Sequence, residues 1–255
     1  MVIVSYPLSV VIVLIAAPFF GGTMTTEAVL WGLGSGVAVG LAVWWFYLAL
    51  ASGPMSVVSP LTAILVAGVP VLIGIAIGER PSLLAYVGIV LALLAVLLVS
   101  KESPDATTEE ITGGRKLRFT KLVAWLTVGS GLAFAFGFVF LHQIPEGTGL
   151  WPVLVSRAMA TLVVWGVALS TKQFKAPRGE PLRLAIYVSF LDVIATSATM
   201  FAFQGGLLSL VSVVASLYPA ATVLLAMVML GERVGRLQQI GMVLALGAVG
   251  LIAAA

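Results

Sequence analysis

Two charged residues stand deep inside otherwise apolar stretches, Arg157 and Asp192. A guanidinium and a carboxylate side by side can hold the opposite charges of a small molecule, and a carboxylate can also exchange a proton. A charge at the centre of a bilayer costs about 2.5–3.5 kcal/mol on insertion scales, so such residues face a cavity or a partner. At 1.5 Å per helical residue, Arg157 lies roughly 12 Å in from one end of its stretch, and Asp192 roughly 15 Å in from the opposite end of the next. In a hydrocarbon core about 30 Å thick, the two reach nearly the same depth on consecutive antiparallel helices. Pairing is therefore allowed. The competing reading is a static ion pair that fastens two helices, with Arg157 snorkelling outward.

The remaining polar inventory is hydroxyls and amides. Gln204 and Tyr218 have polar tips that need partners when buried. Ser212, with Ser130, Ser189, Thr196, Ser197, Thr199 and Ser216, can hydrogen-bond a substrate or, more commonly, its own helix or a neighbour. Trp125, with Trp44, Trp45, Phe46, Tyr47, Phe134 and Phe138, can wall a cavity for amphiphilic cargo, although packing and interfacial anchoring explain most of them equally well. The candidate substrate-binding set is Arg157, Asp192, Gln204, Tyr218, Ser212 and Trp125. No catalytic constellation is visible. Cysteine is absent and His142 is the only histidine. No Ser/His/Asp set and no phosphate-binding glycine loop opens a helix. No cofactor, metal or nucleic acid is expected.

The elements that position these residues follow from composition. The chain has 255 residues, 61% of them hydrophobic, with only 13 Lys+Arg and 10 Asp+Glu. A soluble domain carries about a quarter charged residues. A span needs about 20 apolar residues, and nine stretches qualify: 2–20, 28–51, 55–77, 82–100, 122–142, 149–170, 182–204, 209–230 and 236–254. Pro7 and two serines interrupt the first. The charged segment 101–121 has the composition of a linker and divides the chain into 1–100 and 122–255. Alternate loops place Lys101, Arg115, Lys116, Arg118, Lys121, Lys172, Lys175, Arg178, Arg183, Arg233 and Arg236 on one side and only Arg80 on the other. That bias predicts a cytoplasmic linker and an outward C-terminus.

An internal duplication is present. Ala49–Leu98 aligns without gaps onto Ala202–Leu251 at an offset of 153, with 19 identities in 50 positions. The pairs include Gly53/Gly206, Ser56/Ser209, Ser59/Ser212, Gly78-Glu79-Arg80/Gly231-Glu232-Arg233 and Gly88/Gly241. Five crossings separate the two Gly-Glu-Arg motifs, so the copies are inverted relative to each other, the architecture of secondary transporters. The glutamates read most simply as interfacial stops. The Gly32, Gly36, Gly40 stripe reads as close helix packing, and Pro60, Pro70 and Pro219 as helix bends. The repeat counterpart of span 122–142 would precede Met1, so the reading is four spans plus five, with the first helix of a ten-helix fold missing and the true start expected upstream.

The run Ala202-Phe203-Gln204-Gly205-Gly206, then Tyr218-Pro219, Gly231-Glu232-Arg233 and Gly241, repeated as Ala49, Gly53, Pro60, Gly78-Glu79-Arg80 and Gly88, resembles the EamA-like branch of the drug/metabolite transporter superfamily. Arg157 also fits an arginine early in the seventh family helix. The resemblance implies an all-α integral membrane protein of the cytoplasmic membrane, built from two inverted helical repeats. It would move a small-molecule substrate, such as a metabolite, amino acid or amphiphilic drug-like compound, outward across the lipid bilayer, with proton coupling through Asp192 as one option. Family members have ten helices with both termini cytoplasmic; this chain shows nine. The alternative is a non-transporting sensor or partner subunit that keeps the fold.

Overall fold

The computed structural model describes residues 2–100, 119–171, 179–225, 227–228 and 235–255, with Ser56 and Pro181 described by backbone alone. The linker 101–118 and the second Gly-Glu-Arg motif lie outside the described residues, as do Lys172, Lys175 and Arg178. Among the described residues every regular element is helical. They are α1 Val2–Ala16 (continued by a 3-10 turn, Ala17–Phe20), α2 Thr26–Ser52, α3 Met55–Ala76, α4 Leu83–Val99, α5 Lys121–His142, α6 Trp151–Ser170, α7 Glu180–Gly205, α8 Leu208–Ala215, α9 Tyr218–Leu225 and α10 Arg236–Ala253. Among the described residues eight stretches are long and apolar enough to cross a membrane, and Leu83–Val99 is a shorter apolar helix of 17 residues, about 26 Å long.

These match the nine expected spans, with one refinement. The eighth is two helices: α8 ends at Ala215, the chain turns at Ser216–Leu217, and α9 starts at Tyr218. Pro219 is the physical reason. It has no N–H to offer the Ala215 carbonyl one turn back, and at the second position of α9 that missing donor does no harm.

The chain forms two compact units, Met1–Trp44 with Phe136–Gly206, and Trp45–Ala135 with Leu207–Ala255. Each draws helices from both sides of the 101–121 linker.

In the first unit α1 packs on α6 and α7. Its buried residues are Ser5, Tyr6, Ser9 and Val13, while Val11, Leu14 and Ile15 are exposed. The polar face points inward and the apolar face outward, the reverse of a helix in water. Pro7 lies inside α1 and leaves the Ile3 carbonyl without its helical donor. The Trp165 indole N–H of α6 fills that vacancy at 2.9 Å. Along α2 the glycine stripe meets the α6 backbone: a Cβ on Gly32 would lie 2.9 Å from the Pro152 carbonyl, and one on Gly40 would lie 2.8 Å from Val163 Cβ. The stripe is thus a packing surface. Residue numbers rise together along this contact, so α2 and α6 run parallel. In contrast, Ile3 meets Trp165, and Tyr6 packs with Ala160 and Val164, so α1 and α6 run antiparallel. Both directions agree with alternating crossings.

In the second unit α4 packs lengthwise on α10, and α3 on α8. A Cβ on Gly88 would lie 2.8 Å from Ile252 Cγ1; one on Gly241 would lie 2.7 Å from Val99 Cγ2. Residues 153 apart are exchanged between these contacts, Gly88 with Gly241 and Val99 with Ile252. One contact is made twice, head to tail. The surrounding core holds Ala92, Ala95 and Val96 of α4 against Ala245 and Ala248 of α10, with Ala63, Val71, Val213 and Leu217. Small side chains let the backbones approach, the packing mode available where lipid already solvates apolar surface.

Candidate functional site

The polar centre of the first unit is assembled from three helices. From α6 comes Arg157, 5% exposed. Its Nη2 lies 2.9 Å from Asp192 Oδ1 and also donates to Thr196 Oγ1, both on α7. The guanidinium carbon sits 5.4 Å from the Tyr6 ring centroid, over its face, in cation–π contact. Asp192 Oδ2 accepts from the Ser9 hydroxyl at 3.0 Å. That hydroxyl also lies 3.0 Å from the Ser5 carbonyl and 3.4 Å from the Ser189 carbonyl, so one proton is shared among three acceptors. Ser189 Oγ reaches the Ser5 carbonyl at 3.0 Å and ties α1 to α7 below the pair.

The local sequence explains the convergence. Ser5, Tyr6 and Ser9 occupy one face of α1 (i, i+1, i+4), and Ser189, Asp192 and Thr196 one face of α7 (i, i+3, i+7). Arg157 lies between them. The charges cancel, and each has a second layer of support, as a buried pair requires. The arrangement is nonetheless incomplete at one point and accessible at another. Arg157 Nε has no partner among the described residues, and the Asp192 side chain is 24% exposed. The pair thus keeps one unused buried donor and one partly exposed carboxylate whose two oxygens are both held.

The other expected residues lie elsewhere. Gln204 is at the far end of α7, about 18 Å along the axis from Asp192, where its amide donates to the Pro145 carbonyl at 3.1 Å. It clamps the α5–α6 loop. That loop also meets the turn before α2, where Thr23 N donates to the Gly147 carbonyl and Gly22 and Gly149, both at positive φ, touch backbone to backbone. Trp125, Ser212 and Tyr218 belong to the second unit. Trp125 is 76% exposed and Tyr218 48% exposed, while Ser212 is fully buried. The hydroxyls of Ser209 and Ser212 have no partner among the described residues, at a cost of about 1–3 kcal/mol each when dry.

The sequence reading missed Tyr6 and Ser9 of the pair's surroundings and the role of Glu79. Glu79 is more than a span end: its Oε1 accepts from Leu208 N at 2.5 Å and its Oε2 from Ser209 N at 3.1 Å. It thereby caps α8, whose own N-cap residue, Leu207, supplies no side-chain bond. Gly74 makes room, since any Cβ there would collide with the Glu79 carboxylate. Among the described residues no three His, Cys, Asp or Glu gather as a metal site.

Comparison with known proteins agrees with this architecture. A crystal structure of a protein that is 16% identical superposes with a TM-score of 0.74, covering 98% of this chain and 85% of that one, which shows the fold. No curated protein matches significantly in sequence. The family model for EamA-like transporters matches residues 121–254, which include the Arg157–Asp192 pair and helices α5 to α10. With a many-spanned apolar helical chain and that match over more than half its length, the protein belongs to the EamA-like transporter family and is a multi-pass membrane transporter of the drug/metabolite type.

Proposed function

We propose that the chain is a secondary active transporter of the cytoplasmic membrane that works by alternating access between two inverted repeats. Its cargo is a small metabolite, amino acid or amphiphilic compound, and its direction is export. The observation that carries this reading is the doubled contact of Gly88 with Ile252 and Gly241 with Val99. Two copies of one sequence pack head to tail, and such a pair has two equivalent ways of distributing its asymmetry. In this reading Arg157 and Asp192 contact the polar part of the cargo. Asp192, the more exposed partner, is the group through which a proton would be exchanged.

Uptake of a radiolabelled panel of amino acids, metabolites and cationic dyes into proteoliposomes, with and without an imposed pH gradient, tests the proposal. Saturable flux that collapses in Asp192→Asn, with the protein still folded and inserted, supports it. One feature favours the competing reading of a non-transporting sensor or subunit: both carboxylate oxygens of Asp192 are already held by side chains of its own unit. Absence of flux across the whole panel would favour that reading.

A further inference from the structure

The second unit contains a short helix that is held at one end and jointed at the other. α8 spans eight residues, Leu208–Ala215. Its C-terminal end meets the turn at Ser216–Leu217, where Pro219 prevents the backbone from continuing as one helix. Its N-terminal end is fixed by a single side chain, Glu79 in the loop that follows α3, through the Leu208 and Ser209 amides. These are charge-assisted bonds at a helix N-terminus, and so the strongest polar contacts α8 makes. Between joint and tie, α8 carries Ser209 and Ser212 on one face, fully buried, with hydroxyls that bond to nothing among the described residues. A polar face buried without partners is at odds with its surroundings and gains hydrogen bonds whenever water reaches it.

We propose that α8 is a latched gate: Glu79 is the latch, Ser216–Leu217 the hinge, and the Ser209–Ser212 face the surface that becomes wet when α8 swings away from α3. This deepens the transporter reading and rests on it, since an alternating-access protein needs an element that opens at one end. Glu79 is then a positioning residue. It sets how often the face is reached and takes no part in holding cargo.

The absence of native cysteine makes a direct test available. Ser212→Cys and, as a control in the same core, Ala92→Cys are labelled in proteoliposomes with a membrane-impermeant methanethiosulfonate. The reactive species is the thiolate, so labelling reports water at the site. Ala92 is fully buried on α4, in the core that α4 forms with α10. Adding Glu79→Gln should raise the Ser212→Cys labelling rate by about tenfold or more and leave the Ala92→Cys rate unchanged. Gly74→Ala, which crowds the carboxylate without removing it, should act in the same direction. Equal acceleration at both positions, or none at Ser212→Cys, overturns the proposal, as does failure of both variants to fold, which would make Glu79 a fixed structural cap. The readout needs no substrate, so it stands even if the panel yields no flux, and flux with an unresponsive Ser212→Cys would refute the gate alone.

Discussion

Asparagine in place of Asp192 keeps the shape of the side chain and removes one charge from the polar centre. Arg157 Nη2 sits 2.9 Å from the carboxylate, and Arg157 is 5% exposed. At that separation and an effective dielectric near 20 the attraction is about 6 kcal/mol before desolvation is counted. Removing one partner of a buried pair leaves a stranded charge and costs about 3–5 kcal/mol. Because Asp192 is 24% exposed and Thr196 and Tyr6 still hold the guanidinium, the loss belongs at the low end, about 3 kcal/mol. Arg157→Met combined with Asp192→Asn strands no charge, so the double variant should lose less than the sum of Arg157→Met and Asp192→Asn alone. Unfolding of the four proteins by SDS titration in mixed micelles measures the cycle. A double variant that loses the sum of the two singles would refute the pairing. In proteoliposomes the same proteins separate folding from transport: a double variant that folds and still moves cargo would reduce the pair to a fastener.

Two further outcomes test the packing. Gly36→Ala puts a Cβ 2.7 Å from Met159 Cβ and against the Ser156 carbonyl, and should destabilise by about 1–3 kcal/mol in thermal melts; Gly166→Ala, in open space on α6, should be neutral or gain about 0.5–1 kcal/mol. Trp165→Phe removes the donor to the Ile3 carbonyl and should cost about 1 kcal/mol, but less in a Pro7→Ala background, where a backbone amide answers that carbonyl; equal costs in both backgrounds would dismiss the link.

Hydropathy located the membrane segments well because each is a continuous apolar run, and the depth argument paired Arg157 with Asp192 because two lone charges had few alternatives. The first segment reads as interrupted, although it is a span, for a physical reason. Its serines count against it in any scalar hydropathy sum, yet Ser5, Tyr6 and Ser9 form one inward face whose partners are on α7 and α6. Their i, i+1, i+4 spacing was the available signal. Glu79 was unreadable in a different way: its partners are backbone amides 129 residues on, which have no side-chain identity to recognise. Gln204 likewise grips a carbonyl, Pro145 O, and backbone partners leave no mark in sequence. The break between α8 and α9 was half visible, since Pro219 announced a bend but not its position before the proline.

The inward polar face of α1 also bears on how the protein is made. Ser9 meets Asp192 183 residues later in the chain, and the Ile3 carbonyl meets its indole 162 residues later. At a synthesis rate of 5–20 residues per second the first helix therefore waits roughly 10–40 seconds for its partners. During that interval its hydroxyls have only their own backbone to bond, as Ser9 does with Ser5. A nascent helix in that condition is what an insertase or a membrane chaperone would shelter and what a quality-control protease would seize, so slowed translation between α1 and α7 should lower the yield of this protein before it alters any property of the finished molecule.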